Sequence, residues 1–205
     1  MKKFILIIFG IISTLSFAQN DKAYVESLIS DFTSNLKNNA VNDYFYMYKF
    51  CEGHIEMFTV KDGRMCTSNG TYYEVYVFWK EEDQAMVKKI DNCGLFTSIA
   101  LDDGALADFA KNNSKQLKNG KVKKYAVQNP ENVPTQRTEI HSCKRIFQFN
   151  EANNSFGQEY NLYDLTNDSK YENLNYKSNN DLKVVELEKK IEDEVSKIAA
   201  KFRRE

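Results

Sequence analysis

The chain has 205 residues, 28 basic and 29 acidic, for a formal net charge of −1. It is 42% hydrophobic and 13% aromatic with two prolines, too apolar for a disordered chain and too poor in Pro and Gly for a fibrous one. The near-zero charge removes the usual electrostatic reason to expect nucleic acid as a partner, and the length suits one domain.

Lys2 and Lys3 precede an apolar run over 4–17, and Ser16-Phe17-Ala18 places small residues where a signal peptidase reads. A helix over that run would span about 21 Å, short of the roughly 30 Å hydrocarbon core. The expectation is a signal peptide over 1–18, removed on export, rather than a membrane anchor. The mature chain, 19–205, is then periplasmic or extracellular. No later segment is apolar enough to span a membrane. The Asn-, Lys- and Tyr-rich, Pro-poor composition resembles that of bacterial envelope or secreted proteins in style, and names no family.

Residues 20–36 predict a helix, because Val25, Leu28, Ile29, Phe32 and Leu36 recur at spacings of three and four. Residues 44–80 predict antiparallel strands, dense in Tyr, Phe, Val and Thr and cut by Glu52-Gly53, Asp62-Gly63 and Asn69-Gly70. Along 71–80, Tyr73, Val75, Val77 and Trp79 form the better core face. Glu81-Glu82-Asp83 turns the chain into a returning strand over 85–90. Asp102 or Asp103 can cap a central helix that carries Leu106, Phe109, Ala110 and Leu117 inward and stops at Gly120. Residues 131–136 read as a polar loop, 138–149 as a strand that 156–165 can pair with, and 167–180 as irregular. In the last segment Val184, Leu187, Ile191, Val195, Ile198 and Phe202 form a helical stripe, expected to dock on the protein's own sheet rather than on a partner helix. The fold class expected is α+β: a single domain whose antiparallel sheet is packed by an N-terminal, a central and a long C-terminal helix.

Cys51, Cys66, Cys93 and Cys143 are an even set behind an export signal, which suggests disulfides with three possible connectivities. The sequence-local choice joins Cys51 to Cys66 and Cys93 to Cys143. Tight hairpins at 52–53 and 62–63 oppose the first bond, since they would separate its sulfurs by about 17 Å along the strand. The second joins a strand residue to one just before the turn at Gly94. The rival is a metal site. Cys51, His54, His141 and Cys143 would supply two thiolates and two imidazoles if their segments met.

No Gly-x-Ser-x-Gly elbow, His-Glu-x-x-His helix, Gly-rich phosphate loop or EF-hand loop is present, and no cofactor is expected. The acidic pairs at 81–82 and 102–103 read as a turn and a helix cap. Tyr72, Tyr76 and Phe78 share one strand face. If left open, that face suits a protein partner or small ligand, because tyrosines give rigid area with a polar tip. The expectation is therefore an exported, non-enzymatic binding protein. The alternatives are an envelope enzyme with an unrecognised site and a Cys/His metal protein. An enzyme should show a cleft where His54, His141 or paired carboxylates meet polar neighbours; a binder should show an aromatic patch or an open groove.

Overall fold

Alternation in the longest strands decides the layering, because both of their sides are apolar and both are covered. The computed structural model describes residues 21–60, 63–152 and 154–205. The expected signal segment, 1–18, lies outside them. Helix α1 (Asp21–Asn38) leads into β1 (Tyr44–Cys51), a small hairpin of β2 (Met57–Thr59) and β3 (Met65–Thr67), and the long hairpin of β4 (Glu74–Glu81) and β5 (Gln84–Asp91). Short strands β6 (Gly94–Leu95) and β7 (Ile99–Ala100) precede α2 (Ala105–Asn112) and α3 (Ser114–Asn119). Strands β8 (Ala126–Gln128) and β9 (Pro134–Gln136) pair with each other, and β10 (Cys143–Glu151) pairs with β11 (Asn154–Asn161). The chain closes with α4 (Tyr176–Asn180) and α5 (Lys183–Ile198). The main sheet runs β11-β10-β1-β4-β5-β6, with β7 also on β5, antiparallel throughout. This is a single-domain α+β fold. No helix among the described residues is long and apolar enough to cross a membrane.

Helix α1 covers one face. Val25, Ile29 and Leu36 pack on Tyr44, Tyr48, Val75, Val77 and Trp79. The helix stops where Ala40 takes a φ of 62° while the Val41 N–H reaches back to the Leu36 carbonyl at 2.9 Å, a left-handed C-terminal cap. Its first turn is tied down by Asp21, whose Oδ2 accepts backbone N–H groups of Asn69 and Gly70 at 2.8 Å each and of Thr71 at 3.3 Å. Asn69-Gly70, expected as a hairpin, is instead this anchored loop.

Helix α5 covers the other face. Val184, Leu187, Ile191, Val195 and Ile198 are buried, so the stripe docks on the chain's own sheet as expected. Fully burying such side chains stabilises by about 2 kcal/mol each. The acidic Glu188 on the same side is also buried. It accepts from Arg145 Nε and from the Tyr160 hydroxyl, both at 2.6 Å.

Three expectations give way here. Tyr76 and Phe78 are 4% and 2% exposed, in the core beneath α5, so the Tyr72, Tyr76 and Phe78 face is not an open binding face. Only Tyr72, past the end of the covered region, stays half-buried. The central helix breaks at Asn113 into α2 and α3. Of 167–180, expected as irregular, 167–175 form no helix or strand and only 176–180 depart from the expectation, as α4; the buried Asn173 and Asn179 amides both donate to the Asp164 carbonyl, at 3.0 and 2.9 Å.

The disulfides are also paired differently. Cys51 is bonded to Cys143, and Cys66 to Cys93. Nearness in sequence misleads because β1 pairs with β10, which sets Cys51 directly opposite Cys143. The turn after β5 then brings Cys93 to the small β2–β3 hairpin.

Candidate functional site

The register turns the α5 side of the sheet into a graded surface. One cross-strand row reads Val87, Phe78, Phe45, Phe149, Phe156. Its rings stack at centroid distances of 5.0 Å for Phe45–Phe78, 5.7 Å for Phe45–Phe149 and 4.7 Å for Phe149–Phe156. Four residues further along β1, the parallel row reads Asp91, Glu74, Lys49, Arg145, Tyr160. The apolar end and the charged end each carry a depression.

At the apolar end lies a groove of about 1050 Å³, at the upper end of small-ligand size. Phe45, Phe78 and Phe149 close its base but are themselves buried in the core, and one wall is the Ala107, Ala110 and Ser114 side of α2 and α3. The small wall residues are what leave the space. Three connections form the rim: the α1–β1 loop with Asp43, the β4–β5 turn with Glu81 and Glu82, and the β10–β11 turn with Glu151. Asp43 accepts the Ala152 N–H at 2.8 Å, and Asp108 on α2 pairs with Lys80 at 2.7 Å. Glu81, Glu82 and Glu151 make no ion pair among the described residues, so the rim keeps unneutralised negative charge. Trp79, the single tryptophan, also borders the groove, and its indole N–H has no acceptor among the described residues.

At the charged end a smaller cleft of about 350 Å³ is bordered by Lys49, His54, Glu56, Tyr72, Glu74 and Lys89, among others. Its ionic groups are already matched. Lys89 and Glu74 meet at 2.5 Å, Lys49 meets Glu192 at 2.9 Å, and His54 Nε2 lies 2.7 Å from Glu56 Oε1. Burial pushes the Glu74 carboxyl up, but the Lys89 and Lys49 ammoniums outweigh it and hold the group below its ordinary value. Burial, then the Asp91 and Glu74 charges, push the Tyr72 hydroxyl far up, and it donates to Asp91 at 3.1 Å.

The segments that would have built the metal site do meet, but the Cys51 and Cys143 sulfurs are bonded to each other and cannot serve as thiolates. His54 turns to Glu56 at 2.7 Å, and His141 lies against Gly53, with Nδ1 3.6 Å from where a β-carbon there would stand. Among the described residues no cluster of three His, Cys, Asp or Glu side chains is arranged for a metal ion.

Sequence reasoning passed over the groove. Glu81-Glu82 read only as a turn, and Phe45 and Phe149 as ordinary strand residues. The available signal was that phenylalanines on four strands share one register row, which requires the strand order. Comparisons with protein-family models, curated proteins and solved structures give no match.

Proposed function

We propose that this is an exported, non-enzymatic binding protein whose ligand occupies the groove beside α2. The observation that carries the reading is an open, ligand-sized groove whose rim carries three carboxylates with no ion pair among the described residues. Rigid strands supply the floor and three loops supply the rim, the usual division between scaffold and recognition surface. Export is supported by two disulfides, which persist in oxidising compartments, and by the sequence pattern over 1–18.

A catalytic reading would use the His54–Glu56 pair at the smaller cleft. Among the residues bordering that cleft, the one sulfur, on Cys51, is bonded to Cys143, and the Tyr72 hydroxyl is held by Asp91. Binding is therefore the better reading.

Trp79 emission gives the test, because the chain has one tryptophan and it borders the groove. A panel of neutral, cationic and anionic peptides and small aromatic compounds is titrated into the folded, oxidised protein. A true ligand shifts the emission and raises Tm, and Ala107→Phe, which fills the groove, weakens it at least tenfold. A panel that moves neither signal, or a ligand indifferent to Ala107→Phe, overturns the proposal.

A further inference from the structure

We infer that Met57 and Met65 form a surface oxidation site, a pair of thioethers that takes oxygen from hydroperoxides and turns the outer face of the β2–β3 hairpin from apolar to polar while the fold stays intact. Alternation sets the two sides of the hairpin. Phe58 and Cys66 turn inward, where the Phe58 ring meets that of Tyr72 at 5.3 Å and Cys66 is bonded to Cys93. Ile55, Met57, Thr59, Met65 and Thr67 turn outward, and Met57 and Met65 are 60% and 57% exposed. Met57 stands opposite Thr67 and Met65 opposite Thr59, so the two methionines are diagonal neighbours on one face, roughly 7 Å apart. So short a hairpin is marginal alone. Here the Cys66–Cys93 bond fixes it, as do hydrogen bonds from the Ser68 N–H to the Glu56 carbonyl at 3.1 Å and from the Glu56 N–H to the Ser68 hydroxyl at 3.0 Å. Neither methionine lines the groove, so the inference stands apart from the groove reading.

Sulfur chemistry falls to the methionines, because all four cysteines are bonded in pairs. Among the described residues, Met47 is fully buried and Met86 packs half-buried against the core beneath α1. Met57 and Met65 are the two left open to an oxidant. The sulfur lone pair attacks the terminal oxygen of the hydroperoxide. An S–O bond forms and the O–O bond breaks. Sulfur gives up two electrons, and the leaving oxygen takes the proton and departs as water or an alcohol. The two sulfurs are not equivalent. The Thr59 hydroxyl donates to Met65 Sδ at 3.4 Å and engages one of its lone pairs, whereas no hydrogen bond reaches Met57 Sδ among the described residues. Met57 is therefore the faster site. Neither side chain belongs to the core, so the new sulfoxides add polar surface without opening a cavity, unlike oxidation at Met47.

The test treats the folded, disulfide-bonded protein with dilute hydrogen peroxide and follows each methionine over time by peptide mass mapping. Met57 should oxidise at about the rate of methionine in an unstructured peptide. Met65 should be about twofold slower, and Met47 and Met86 at least about tenfold slower, because their sulfurs wait on opening of the fold. Thr59→Val removes the hydroxyl while keeping its shape and should bring Met65 to the rate of Met57. Protein oxidised at both sites should leave a hydrophobic-interaction column earlier than the parent and keep the parent's Tm. Met57→Leu with Met65→Leu should abolish the rapid oxygen uptake and the elution shift together, and an unchanged Tm shows that this variant is folded. Met57 and Met65 oxidising no faster than Met47, or a fall in Tm once both carry oxygen, overturns the inference. A Met65 rate that ignores Thr59→Val overturns the ordering of the two sulfurs.

Discussion

Cys51 and Cys143 stand directly opposite each other on neighbouring antiparallel strands, their Cα atoms 3.8 Å apart, although 92 positions separate them in sequence. The bond joins residues that the sheet already holds together. Its effect on stability therefore comes mainly from what it denies the unfolded chain. Loop-closure arithmetic gives about 4.6 kcal/mol for this bond and about 3.5 kcal/mol for Cys66–Cys93, whose loop is shorter. Cys51→Ser with Cys143→Ser should lower Tm by about 10–15 °C. Peptide mapping without reduction checks the connectivity. Recovery of a Cys93–Cys143 or Cys51–Cys66 peptide would contradict it.

The second prediction concerns Asp91, which is fully buried. Arg204 closes on it through two contacts of 2.6 and 2.8 Å, and the Cys93 N–H adds a third at 2.7 Å. Removing the guanidinium strands a buried carboxylate. Arg204→Ala should cost about 3–5 kcal/mol in urea unfolding, and Arg204→Gln combined with Asp91→Asn clearly less. Equal losses for the two variants would show that the pairing itself is unimportant.

Acid should loosen the start of α1. Burial raises the Asp21 carboxyl, but the N–H groups of Asn69, Gly70 and Thr71 and the Asn92 side chain outweigh it and hold the group below its ordinary 3.8. A carboxyl lowered by folding contributes stability above its unfolded value and loses it as pH falls through the folded one. The wild type should therefore lose stability below about pH 4 more steeply than Asp21→Asn, and thermal melts between pH 2 and 6 measure the difference. Parallel curves for the two proteins would refute the anchor.

Ile191 lies at the centre of the α5 stripe and is fully buried. Ile191→Ala should cost about 2–5 kcal/mol through lost contact and the cavity left behind. Lys190→Ala, on the exposed side of the same helix, should change stability by about 0.5 kcal/mol or less. Similar losses at the two positions would mean that α5 does not dock as described.

The elements legible in the sequence are those set by local periodicity. Helices α1 and α5 announce themselves through apolar spacings, and the β4–β5 turn through three consecutive acids. The second covered face was legible in principle. A strand with Tyr76 and Phe78 on one side and Val75, Val77 and Trp79 on the other has no side suited to water. The sequence alone admits both an open aromatic face and one beneath a helix, and the docking of α5 decides between them. The pairing of β1 with β10 was not legible, because no local signal links positions 92 apart, and both the disulfides and the groove depend on it. The short α4 at the end of 167–180 was also hidden, because a polar run without apolar spacing gives no helical signal until its Asn side chains find buried carbonyls to bond.

The two margins of the main sheet differ in a way that limits self-association. Beyond β5, the short β6 and β7 and the segment 203–205 take up the outer hydrogen-bonding groups, with Thr97 N–H bound to the Arg203 carbonyl at 2.8 Å and Glu205 N–H to the Leu95 carbonyl at 3.0 Å. On the opposite margin, β11 pairs among the described residues only with β10. A sheet with one open margin has a valence of one for strand addition. Strand addition at β11 would leave a pair with no open margin of this sheet to extend, so edge-to-edge growth would end at a pair instead of running on into a fibre.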